Sequence, residues 1–478
     1  MMSIQSQTQT PAFPQPNDPA YVVPRSYSGV VPSLAQVADL GKVRSEIGVG
    51  GLMPWCGKLY VINYNSHKAD SGPGVGMRVI DENMQMLKHP EGVDGTYANR
   101  FVHYPTNRLI IGPHVVDEHH NVTTIKELVP YRLCGVAKHL TDDGLVYVLA
   151  MEGEVFELNP VTFECRQIMD LQDELNTEGE GRVHFKDCYS HFGRFVVCSN
   201  EYMEADWKRE RAQGRLAQWD GKAWTILERK PFVCVTGRGN DGGTIFATGW
   251  DQASAILKVY THQDQTWRTY RMPKASHCFD HKCQTEWPRI REVEHERFLM
   301  DHHGMFYELS PWAYGNQVWG IRPISTHLWV HGDFCSYRGM LVLGADNASP
   351  AWGYIDTAAE PQSGLWFGKT DDLWNFGKPA GWGGPWWDEA VKANVPSDPY
   401  LMTGFDNKCL HISHDANGPV TFTIEVDFMG CGRFKQYVQL TAKADGYVQH
   451  TFPEGFSAHW IRIISNQECT ATAQLFYT

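Results

Sequence analysis

The chain has 478 residues, a formal net charge of -13, 42% hydrophobic residues and 12% aromatic residues. That length exceeds one ordinary hydrophobic core, so a closed repeat architecture or several domains is expected. The acidic balance, without a basic stripe, excludes nucleic acid as the expected partner, and no apolar run is long enough for a membrane-spanning helix, so neither nucleic acid nor membrane is expected.

Residues 1–44 read as an N-terminal arm, rich in Gln, Thr and Pro, without the basic start and apolar stretch of a secretory signal. Twelve Cys are scattered along the chain, and Cys198 and Cys234 lie inside apolar runs as buried thiols would. As written, the sequence predicts a reduced, cytoplasmic protein; a removed signal would make it periplasmic or secreted.

From 45 to 395 an apolar run recurs seven times, starting at Leu59, Leu109, Val146, Phe195, Ile245, Phe298 and Leu341. The spacing suits propeller blades better than helical repeats. Answering strands start at Met77, Val155, Leu216, Ile256, Phe306 and Leu365, with Gly, Asn or Asp at many turns. The expectation is an all-β chain, a seven-bladed β-propeller. Within it, residues 369–399, dense in Trp, Gly and Pro, read as an ordered linker. Residues 396–478 then alternate polar and apolar positions and predict a small C-terminal β-sandwich, either a structural lid or a carbohydrate-binding unit.

Propeller sites assemble at the mouth of a central channel from side chains of several blades. His67, His103, His139 and His184 lie 36, 36 and 45 residues apart, close to one per blade. Each alone reads as a structural hydrogen-bonding imidazole; together they point to a site. Tyr202 and Arg215 complete the candidate catalytic set, and Lys186 and Arg271 the candidate substrate-binding set. Imidazole, phenol and guanidinium together suit β-elimination at a uronic acid. Arg offsets the carboxylate charge, His or Tyr removes the proton beside it, and a second group protonates the departing glycosidic oxygen. No organic cofactor is needed. No G-x-S-x-G elbow, Walker loop or H-E-x-x-H motif occurs, and no carboxylate pair stands out for glycoside hydrolysis.

A denser cluster follows in KASHCFDHKCQTEWPRIREVEHERFLMDHHGMF. His277, His281, His303 and Cys335 are the candidate ligands of a structural Zn²⁺, although their spacing matches no common zinc-finger framework. The plain alternative is buried thiols and solvent-facing imidazoles.

The stretches GTYANRFVHYPTNRLIIGP, RLAQWDGKAW, IFATGWDQASAILKV and TEWPRIREVEHERFLMDHHGMFYELSP resemble bacterial seven-bladed propeller proteins similar to ulvan lyases and rhamnose–glucuronate lyases. The likeness runs over most of residues 45–478. It implies a polysaccharide lyase using His, Tyr and Arg at the propeller mouth, with a structural zinc held by His and Cys, acting on an acidic oligosaccharide or polysaccharide. Two further readings stand beside it: a glycoside hydrolase acting on rhamnose–uronate linkages, and a non-catalytic sugar- or protein-binding propeller. Neither the glycan nor the oligomeric state is legible.

Overall fold

The computed structural model describes residues 47–65, 76–175, 184–200, 214–238, 244–276, 289–318, 320–328, 330–345 and 364–478. The chain is all-β, and among the described residues no helix is long and apolar enough to cross a membrane. Among the described residues, seven groups of consecutive strands pair antiparallel one after another, six of four strands and the last of three, the fifth being part of a larger, eight-stranded sheet.

The predicted apolar runs are all strands, but they are the second strand of each sheet, not the first. Val146–Ala150 and Ile245–Trp250 are buried at every position. A strand covered on both faces by neighbouring sheets needs no polar alternation, which is why these runs read so clearly. The run from Leu109 divides: Arg108–Ile111 and His114–Val116 are separate strands joined through Gly112, whose φ of 56° turns the chain.

The first strands are Ile47–Trp55, Arg100–His103, Leu133–Lys138, His184–His191, Phe232–Gly237, Arg289–Glu294 and His331–Tyr337. Each packs against the first strands of its neighbours, and His331–Tyr337 packs against Ile47–Trp55. The third and fourth approach each other tightly. A Cβ on Gly135 would stand 2.8 Å from both the backbone nitrogen and Sγ of Cys188. Across the junction of last and first sheets, Leu52 donates its backbone N–H to Asp333 at 2.8 Å.

The C-terminal part departs from the expected linker. Gly381–Val391 is a strand, paired with Cys469–Tyr477 in a sheet completed by Lys408–His414 and Tyr447–Thr451. Tyr400–Leu401 joins the outer strand Thr266–Met272 of the fifth sheet to Trp460–Ser465, so that Val420–Asp427 and Lys435–Ala442 extend the fifth sheet. Val420–Asp427 alternates in burial, and its Phe422 and Ile424 share one apolar core with Leu410 and Leu475 of the other sheet. Arg271 fastens this join. Its Nε donates to Asp398 at 2.9 Å, and its Nη1 donates to Asp251 at 3.0 Å and to Ser254 at 2.9 Å.

Candidate functional site

The first strands are less apolar than the second because they carry charge at intervals. Arg100, Asp187, Arg289, Arg291 and Asp333 all lie in them. Asp333 is fully buried and accepts from Nε of Arg100 at 2.5 Å and from Nε of Arg291 at 2.8 Å. These two guanidiniums hold its carboxyl below the usual carboxylate range against the opposing effect of burial. Asp187 behaves oppositely. Burial outweighs the pull of Arg291 and Arg289 and raises its carboxyl, although the backbone N–H groups of Val235 and Cys188 donate to it.

Six of the seven first strands contribute to a cavity of about 960 Å³. It reaches residues just past the C-terminal ends of those strands, including Tyr104, which is 79% exposed, and Arg238. Five cationic side chains line it (Arg100, Lys138, Arg238, Arg289 and Arg291) against two carboxylates, Asp187 and Glu292. Arg238 lies 3.3 Å from Glu292 and 3.2 Å from Glu296. Asp333 and Glu296 pair with Arg100, Arg291 and Arg238 from outside the lining, so the cations outnumber the carboxylates five to four, a balance that suits a small anion even though the whole chain is acidic.

His103 ends the second of the first strands and lines this cavity. Its Nδ1 is 2.7 Å from Thr106 Oγ1, and burial lowers its basicity. Tyr189 also lines the cavity, with its hydroxyl buried and without a hydrogen-bond partner among the described residues. Burial raises its phenol above the usual value.

The other sequence-predicted residues lie elsewhere. His139 sits just past the end of Leu133–Lys138, at the same end as His103, but outside the cavity lining. Its Nδ1 accepts the backbone N–H of Asp142 at 3.0 Å, and its Nε2 lies 3.3 Å from Glu157. His184 opens its strand at the opposite end, where Arg132 holds its Nε2 at 2.9 Å and pairs in turn with Glu152. Pairing of His184 with Asn200, and of Ser199 with Arg215, brings Arg215 to that same end of the fourth sheet. Burial lowers the Arg215 guanidinium from its ordinary value. Lys186 is buried at a register shift in the same strand. Arg271 is engaged at the C-terminal join described above. His67 and Tyr202 lie outside the described residues.

Of the expected zinc ligands, His277 and His281 also lie outside the described residues. His303 is buried, its ring 5.4 Å from Trp250. Cys335 is buried in an apolar cluster with Val49 and Leu52, where burial pushes its thiol up to about 12. That surrounding favours a neutral thiol rather than the thiolate that zinc takes.

Sequence reading passed over Arg100, Asp187, Arg289, Arg291, Asp333 and Tyr189. Their signal was there, as charges inside otherwise apolar strands: HFKDCYSH, RIREVE and HGDFCSY. The near-blade spacing of the histidines misled for a related reason. His184–His191 is eight residues long, so the position matching His103 is His191 and not His184.

No protein-family model matches this chain, and no curated protein matches its sequence. Among solved structures, the WD40 repeats of RRP9 are similar at 7% identity and a TM-score of 0.42, covering 68% of this chain and 99% of that one. The β-propeller domain of Myceliophteria thermophila Cps50 (Swd1) follows at 8% identity and 0.40, covering 66% and 99%. A luciferin-regenerating enzyme is similar at 11% identity and 0.33, covering 70% and 93%. Likeness at this level assigns neither ligand nor activity.

Proposed function

We propose that the chain is a seven-bladed β-propeller whose central channel binds a carboxylate-bearing ligand, an acidic oligosaccharide being the class that fits. Seven successive sheets with mutually adjacent first strands support the blade count. The observation that carries the binding reading is the cavity with five cationic side chains against two carboxylates. Guanidinium forks recognise carboxylates through paired hydrogen bonds, and their strength rises where water is partly excluded. Calorimetric titration of the purified chain with a glucuronate-containing tetrasaccharide and with a neutral tetrasaccharide tests this. Binding of the acidic sugar alone, weakening with added salt, is expected; equal or absent binding of both removes the reading.

β-Elimination is the second reading, favoured by the presence of His103 in the same cavity as the guanidiniums. His103 is able to take the C5 proton of a bound uronate, the C4–oxygen bond breaks as the C4–C5 double bond forms, and the protonated imidazole returns the proton to the departing oxygen. Incubation with uronate oligosaccharides gives an absorbance rise near roughly 235 nm if elimination occurs. Binding without that rise leaves a non-catalytic propeller.

A further inference from the structure

Where the chain passes from the sixth sheet to the seventh, three chemistry-bearing side chains converge away from the channel cavity. Asp301 lies near the end of Arg297–His302, His327 just beyond Arg322–Thr326, and His331 opens His331–Tyr337. One ligand atom from each lies within 4.8 Å of the others. Asp301 Oδ1 is 3.0 Å from His327 Nε2, and its Oδ2 is 2.7 Å from His331 Nδ1. One buried carboxylate thus holds two imidazoles in fixed orientation.

We propose that Asp301, His327 and His331 form a binding site for a divalent transition-metal ion. His331 Nε2 is the atom that meets the ion. It is buried and has no hydrogen-bond partner among the described residues, while Nδ1 of the same ring is taken up by Asp301. Leaving a buried ring nitrogen without a partner is unfavourable, and coordination removes that penalty. His327 supplies the second nitrogen donor, and Asp301 neutralises charge and orients both rings, as carboxylates behind metal-bound histidines do. Two imidazoles with one carboxylate favour Zn²⁺, Fe²⁺ or Co²⁺ over Mg²⁺ or Ca²⁺.

This site is distinct from the zinc expected at His277, His281, His303 and Cys335. Successive residues of a strand point to opposite faces. Asp301 points to the seventh sheet's His331, whereas His302 is near Gly249 and Lys274, and His303 is near Trp250, on the fifth-sheet side.

The test uses the full chain, stripped with a chelator, reloaded with Zn²⁺ or Co²⁺, desalted and assayed for metal per chain by mass spectrometry. His331→Gln and His327→Gln are each expected to lose one equivalent relative to wild type and to lose the zinc-induced rise in melting temperature. His303→Gln is expected to keep that equivalent. Circular dichroism establishes that each variant folds, and either glutamine variant suffices if the other does not. Unchanged metal content in the folded variants, or no retained ion in the wild type, overturns the proposal. So does a single ion lost only with His303→Gln.

Discussion

The two ends of the first strands carry similar side chains in different employment. At the end reached by His103, Lys138 and Arg238, cationic groups border a cavity of about 960 Å³. At the other end, His184 is held by the Arg132–Glu152 pair, and Arg215 is buried with its backbone N–H on Ser199. Residue type therefore does not mark a site on its own. What distinguishes the ends is which polar groups face open volume and which face one another.

The comparison can be broken most forcefully at the charge that joins the sheets between the ends. Asp333→Ala leaves Arg100 and Arg291 without their buried carboxylate and is expected to cost about 3–5 kcal/mol in chemical denaturation. A loss below about 1 kcal/mol would mean that this triad does not tie the sheets together.

A second effect is set by pH. His114 is buried, and desolvation lowers its imidazole to about 4. The unfolded chain takes up this proton near roughly 6.5, so stability is fully present above that pH and is lost as pH falls from there toward 4. The loss amounts to about 3 kcal/mol for this group. Melting temperatures from pH 7 to 4 should fall, and His114→Gln should flatten the slope; an unchanged slope contradicts the assignment.

Gly135→Val probes the tight approach of the third and fourth first strands. With Cys188 2.8 Å from the added Cβ, overpacking of about 1–3 kcal/mol is expected in equilibrium unfolding. A neutral substitution would show that the third and fourth sheets separate readily.

How much of this was legible from sequence follows from burial. The second strands announced themselves because both faces are covered, as in Val146–Ala150. The first strands did not, since Arg100, Asp187 and Arg291 interrupt their apolar character where they line the cavity. Gly381–Val391 hid behind the loop-like composition GWGGPWWDEAV, which the sheet accommodates with two register shifts, one on each side of Trp386. The histidine series was visible, yet its phase was not. An eight-residue strand separates His184 from His191, and only strand boundaries show that it is His191 that shares the end of His103. The cationic cavity was invisible because its members are far apart in sequence and the net charge of the chain has the opposite sign.

The smallest expected effect is also the most direct. Calorimetric titration of a glucuronate tetrasaccharide should show Arg238→Ala binding about tenfold more weakly than wild type, a loss near 1.4 kcal/mol. Its counterpart at the far end, His184→Gln, should bind as wild type does. Weakening by His184→Gln with Arg238→Ala unaffected would place the ligand at the wrong end and contradict the account.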